Sequence, residues 1–196
     1  MAMLRIVLVQ PGATDFDEQG RIKGSLDIPL NRNGSSQVDR TVLELASVEL
    51  DAIYVSPSES ALQTAAALAK SRKVKVRRVE KLKNLDHGLW HGRLIEEVRQ
   101  KQPKVYRQGQ DNPGMVCPPE GESVAAARRR LGGVLAKIRR KHKSGTVALV
   151  VPEPLASFTV SELQQSDLGN LWKAEQDCGS WQLINIKSKR VALGDS

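Results

Sequence analysis

Three short apolar runs constrain this chain more than any other feature. They are Ile6-Val7-Leu8-Val9, Asp51-Ala52-Ile53-Tyr54-Val55 and Val147-Ala148-Leu149-Val150-Val151. Each has the length of a strand, and a continuous run of β-branched residues suits a strand buried on both faces. Each ends in a turn-forming sequence: Gln10-Pro11-Gly12, Ser56-Pro57-Ser58 and Pro152-Glu153-Pro154. Helical patterns lie between them. Strands alternating with helices imply an α/β fold whose sheet is mainly parallel. Ligands in such sheets sit outside the carboxyl ends of the strands, so the three turn sequences are the places to look for chemistry.

The intervening segments fill out this frame. Residues 15–32 are polar, contain Gly20, Gly24 and Pro29, and read as a long surface loop. Asn33-Gly34-Ser35-Ser36 reads as a turn and cap. Val38, Val42, Leu45 and Ala46 then predict a helix over about 35–49. A second helix follows Ser58, with Ala61, Leu62, Ala65, Ala66, Leu68 and Ala69 on its buried side. Residues 74–79 alternate apolar and basic, as an edge strand does. Residues 82–92 read as a loop. Leu94, Ile95 and Val98 open a helix that Pro103 ends or restarts, and 109–121 reads as irregular. Ser123 caps a long helix with a stripe of Val124, Ala127, Leu131, Val134, Leu135 and Ile138. Residues 181–186 and 190–193 suggest a closing hairpin.

The length of 196 residues suits one domain, 1–196, with a full core. The net charge of +8 permits attraction to polyanions without requiring it. Its densest source is Arg128-Arg129-Arg130 with Arg139-Arg140-Lys141-His142-Lys143 on the long helix. No aromatic residues interleave with these charges, so a solvated outer helix face is the reading, and nucleic acid is disfavoured as a partner. His142 at the helix end reads as solvated. Cys117 and Cys178 lack metal-ligand spacing and read as free thiols in a reducing compartment. No apolar run reaches membrane-spanning length, and residues 1–5 have no leader pattern, so a cytoplasmic location without membrane contact is expected.

The loop sequences also resemble one family in order and spacing, from residue 4 to about 160. The Gly20-Arg21-Ile22-Lys23-Gly24-Ser25-Leu26-Asp27-Ile28-Pro29-Leu30 loop is similar to a Gly-Arg-x-x-Gly-x-x-Asp-x-Pro-Leu pattern. Ser56-Pro57, with Gln63-Thr64-Ala65 after it, resembles Ser-Pro followed by Gln-Thr-Ala. Gly88-Leu89-Trp90-His91-Gly92 and Pro119-Glu120-Gly121-Glu122-Ser123 match two further landmarks. These are motifs of the histidine phosphatase superfamily, which includes the cofactor-dependent phosphoglycerate mutases. The resemblance implies a three-layer α/β/α sandwich around a mostly parallel sheet.

It also marks where the family keeps its chemistry: an attacking imidazole, arginines on the phosphoryl oxygens, a second histidine and a proton-donating glutamate. The matching positions hold Pro11 for the nucleophile, Gln10 and Ser60 for arginines, Asn84 for the glutamate and Glu153 for the second histidine. A carboxylate about 4 Å from a phosphate oxygen costs on the order of 4 kcal/mol at a surface-like dielectric. Losing an arginine from phosphoryl transfer costs roughly a thousandfold or more. The expectation is therefore a catalytically inactive member with a binding or regulatory role. Its pocket would be lined by Gln10, Gly12, Thr14, Asp17, Arg21, Lys23, Gly24, Ser60, Asn84 and Glu153. It would take a protein partner or a small polar ligand, preferring neutral or cationic ones unless Arg21, Lys23 and Lys83 turn inward. The alternatives are a phosphatase or phosphoglycerate mutase with displaced catalytic residues, and a polyanion-binding module. No cofactor or metal is implied; His87 and His91, spaced around Gly88, read as structural or surface residues. Oligomeric state is open.

Overall fold

β1 (Leu4–Val9) and β4 (Gly145–Val150) run side by side in parallel and form the middle of a five-stranded sheet. β2 (Ala52–Val55) pairs with the other side of β4, and the short β3 (Val76–Arg78) pairs with β2, both parallel. β5 (Trp181–Ile186) closes the opposite edge, antiparallel to β1, giving the order β3-β2-β4-β1-β5. The computed structural model describes residues 3–70, 72–174 and 178–186. The expected second arm of a hairpin at 190–193 lies outside them.

The strand alternation divides the core in two. Val7, Val9, Ile53, Val55, Ala148 and Val150 face one side, where they meet Leu45, Ala61, Ala65 and Leu68. Leu45 lies in the turn after α2 (Arg32–Glu44), whose Val42 packs beside it, and the other three lie on α3 (Glu59–Ala69). Leu4, Ile6, Leu8, Tyr54, Val147 and Leu149 face the other side. There they meet the long helix of residues Val124–Lys141, whose stripe Val124, Ala127, Leu131, Val134, Leu135 and Ile138 is buried as its spacing predicts. Helices on both faces of a mostly parallel sheet make the three-layer sandwich.

The remaining helices complete the chain order. α1 (Asp15–Glu18) is a single turn inside the loop that follows β1. α4 (Ile95–Lys101) and α5 (Pro103–Asp111) are separated at Gln102, with Pro103 as the first residue of the new helix. α6 is the Val124–Lys141 helix, and Ser123 does cap it, accepting from Ala126 N at 3.2 Å. α7 (Leu155–Gln164) and the short α8 (Leu171–Ala174) precede β5.

Three sequence expectations need adjustment. α2 begins at Arg32 and ends at Glu44, because Asn31, rather than the serines, caps it by accepting from Gly34 N at 2.8 Å. The 15–32 segment is not wholly a surface loop: Ile22, Lys23 and Gly24 are buried, and Arg21 forms a bridge to Leu94. α7 has no counterpart in the pattern analysis. It is buried around much of its circumference, through Leu155, Ala156, Phe158, Thr159 and Ser161, so its apolar residues leave no one-sided stripe to read.

Candidate functional site

The turn after β1 lies at the carboxyl end of the sheet, beside the loop that follows β4. Backbone bonds tie it to the approach to β5: Gln10 N donates to Ser180 O at 2.8 Å, and Gly179 N to Pro11 O at 2.7 Å. Gly12 presses against α2, since a Cβ there would stand 2.3 Å from Gly34 O. Ala13 N donates to Gln37 Oε1 at 2.8 Å. The turn is therefore held by two backbone bonds, one side-chain bond and a close contact.

Several of the positions singled out in the sequence are brought together. Gln10 Nε2 donates to Glu153 Oε1 at 2.5 Å, and Gln10 Oε1 accepts from Ser180 Oγ at 2.7 Å. Glu153 is only 3% exposed, and its second oxygen accepts from Ser157 N at 3.0 Å in the first turn of α7. Asn84 Nδ2 bridges Glu153 O at 2.7 Å and Gly24 O at 3.0 Å. Four of the positions singled out in the sequence (Gln10, Gly24, Asn84 and Glu153) thus form one continuous network across three loops. Ser60 is buried at the start of α3, where its carbonyl accepts from Thr64 Oγ1 at 2.8 Å.

A second cluster forms around Asp17. Thr14 donates to Asp17 Oδ2 through both its N–H and its hydroxyl, each at 2.7 Å, and Lys23 makes an ion pair with Asp17 Oδ1. Lys23 does turn inward, being 6% exposed, but Asp17 neutralises it there. Arg21 is directed elsewhere, with its guanidinium on Gly92 O at 2.6 Å and Gln19 Oε1 at 2.9 Å, and Lys83 is exposed. Among the described residues, no group of three His, Cys, Asp or Glu is placed to hold a metal ion.

Two histidines belong to this region. Gly24 packs against both, and a Cβ there would stand 2.6 Å from His91 Nε2 and 2.9 Å from His87 Cδ2. With φ at +48°, Gly24 holds a backbone conformation that side chains rarely take. His87 is fully buried, whereas the His91 side chain keeps 20% of its surface exposed. His91 Nε2 lies 3.2 Å from His87 N, 3.3 Å from Ser25 N and 3.3 Å from Ser25 Oγ. Backbone N–H groups only donate, so the Nε2 lone pair faces the loop. His87 is thus enclosed in the packing, while His91 reaches the edge of the Gly24–Ser25 loop.

Sequence reasoning passed over two supports. Arg130 reaches inward from α6: it makes a two-pronged pair with Glu122 at 2.7 and 2.8 Å and donates to Lys81 O at 2.8 Å and Asn84 O at 3.0 Å. Its position between Ala127 and Leu131, inside the buried stripe's flank, was the available signal. Gln37 was hidden because nothing in its helix spacing marks a bond to the Ala13 backbone. One further correction concerns His142. It is not simply solvated: Tyr54 Oη lies 2.9 Å from its Nε2, and burial, followed by nearby Lys141, lowers its pKa below the ordinary 6.5.

Comparison with known proteins places this geometry. The model of the histidine phosphatase superfamily, branch 1, matches residues 6–195. Phosphoserine phosphatase 1 of Hydrogenobacter thermophilus is 30% identical over 97% of this chain and 90% of its own length. The structure of YhfR from Bacillus stearothermophilus is 26% identical, with a TM-score of 0.81, covering 92% of this chain and 90% of that one. The alpha-ribazole phosphatase of Shigella flexneri shares the fold, with a TM-score of 0.79 at 22% identity, covering 94% and 92%. The expectation of an inactive binding protein is corrected by the phosphoserine phosphatase, whose similarity runs along 97% of this chain. By its sequence along nearly its full length and by its fold, the chain belongs to the histidine phosphatase superfamily.

Proposed function

We propose that this protein hydrolyses phosphomonoesters, with catalytic groups displaced from the family's usual positions. The observation that carries this reading is the 30% identity to a phosphoserine phosphatase over 97% of the chain. Pro11 has no nucleophilic atom, so attack must come from elsewhere. The Thr14 hydroxyl is fully buried and bonded to Asp17, and Ser60 is buried in the helix start. His91 is the better candidate. Its side chain is 20% exposed beside the Gly24–Ser25 loop, which Asn84 joins to Glu153 and Gln10; to attack, Nε2 must leave its contacts with His87 N, Ser25 N and Asp86 Oδ1.

In this mechanism His91 Nε2 attacks phosphorus and forms a P–N bond. The P–O bond to the alcohol breaks, its electron pair leaves with that oxygen, and a proton from water completes the alcohol. Water then attacks the phosphohistidine, the P–N bond breaks, and inorganic phosphate departs. Lys23 supplies the nearby positive charge, though Asp17 offsets it. With no arginine on the phosphoryl oxygens, turnover should fall on the order of a thousandfold or more below an arginine-bearing site.

The test is hydrolysis of p-nitrophenyl phosphate, phosphoserine and 3-phosphoglycerate by wild type, His91→Ala and Thr14→Val. Wild type should turn over, and Thr14→Val, which disturbs the Asp17–Lys23 cluster without touching His91, should lose less than His91→Ala. His91→Ala should lose at least a hundredfold, together with any acid-labile phosphoprotein trapped by rapid quench. An inactive wild type, or a His91→Ala variant as active as wild type, refutes the proposal.

A further inference from the structure

A groove follows the β3 edge of the sheet where α6 crosses it. It shares no lining residue with the strand-end network. Its volume is about 390 Å³, and a neighbouring hollow of about 330 Å³ shares Lys81, Val134 and Lys137 with it. Spaces of about 300–1,000 Å³ are the size that holds small ligands.

Its lining is divided by chemistry. Tyr54, Val79, Val134 and Ile138 give it an apolar floor, while Arg77, Lys81, Lys137 and Lys141 stand around it. Its one acidic residue, Glu80, is held by Arg78 at 2.7 Å. None of the four surrounding cations makes an ion pair among the described residues. Arg77 Nε is buried with no hydrogen-bond partner among the described residues. The surplus positive charge also reaches beyond the groove. Beside it, His142 is hydrogen-bonded to Tyr54, and Lys141 and Arg77 both disfavour its protonation while Asp51 favours it.

We propose that this groove binds a small amphiphilic anion. Its carboxylate, sulfonate or phosphate head would lie among Arg77, Lys137 and Lys141, and its apolar body on Tyr54, Val79, Val134 and Ile138. The apolar floor and the concavity favour such a ligand over a nucleic-acid backbone, which needs an extended row of cations and gains nothing from buried valines.

The test uses 1-anilinonaphthalene-8-sulfonate as the probe, followed by fluorescence on the full chain. Lys137 and Lys141 are both exposed, so the Lys137→Glu/Lys141→Glu variant should fold, as circular dichroism will verify. It should bind at least tenfold more weakly than wild type. The uncharged relative N-phenyl-1-naphthylamine should bind wild type at least tenfold more weakly than the sulfonate. Saturation should raise the titration midpoint of His142, one of only three histidine resonances to assign. Unchanged affinity in the charge-reversed variant, equal binding of the uncharged relative, or an unmoved His142 midpoint each overturns the proposal. So does displacement of the probe by an oligonucleotide where dodecyl phosphate fails to displace it.

Discussion

Arg130 offers the most direct test of how the strand-end network is held. Its guanidinium donates twice to Glu122 and once each to the carbonyls of Lys81 and Asn84. The side chains of Arg130 and Glu122 are only 14% and 17% exposed. Removing one partner of a buried pair costs about 3–5 kcal/mol, because the other charge is left without compensation. The residual exposure lets water take part of that load, so about 2–3 kcal/mol is the expected loss for Arg130→Ala. For a chain of 196 residues this corresponds to a fall in Tm of about 4–12 °C. Urea unfolding followed by circular dichroism, with an unchanged m-value, measures it directly. The companion variants are Glu122→Ala and the double substitution. Because the two side chains touch, the double variant should lose less than the sum of the singles, by about 1–2 kcal/mol. An Arg130→Ala protein within about 0.5 kcal/mol of wild type, the range of ordinary surface substitutions, would refute this account. Strict additivity of the two singles would refute it as well.

Two further outcomes follow from the same geometry. Gly24→Ala would combine a left-handed backbone with a Cβ 2.6 Å from His91 Nε2, so a stability loss of about 1–3 kcal/mol is expected. Adding His91→Ala should recover part of it, and thermal melts of the three variants decide the point. His142 has a folded pKa below its ordinary 6.5, so the unfolded chain takes up the proton first as pH falls. Its stabilising contribution is therefore complete above 6.5 and is lost as pH drops from there through the folded value. His142→Asn should show a smaller stability difference than wild type between about pH 7.5 and pH 5, measured by urea unfolding, and an identical pH slope in the two proteins would contradict the assignment.

The order of strands and helices was readable from the chain because each major element announces itself locally. Val7, Val9, Ile53 and Val150 sit in continuous apolar runs, and the stripe from Val124 to Ile138 has one period throughout. Those patterns follow from burial on two faces or on one, which neighbouring residues suffice to encode. The turns at the strand ends were visible for the same reason, through Pro11, Pro57 and Pro152. That Gln10, Asn84 and Glu153 lie together was foreshadowed only through resemblance to a family and not through any local signal. α7 escaped because a helix buried around much of its circumference has no amphipathic contrast.

Only the tertiary structure decided how those groups are paired. The Gln10–Glu153 bond joins residues 143 apart, and the Arg130–Asn84 bond joins residues 46 apart. Whether Lys23 is a free cation or one neutralised by Asp17 depends on side-chain direction, which composition does not carry. The position of His91 against Gly24 and Ser25 depends on the packing of two loops that are remote in sequence. Secondary structure is encoded by near neighbours. Charge and hydrogen bonding are set by whatever the fold brings within reach, and near neighbours in the sequence do not carry that information.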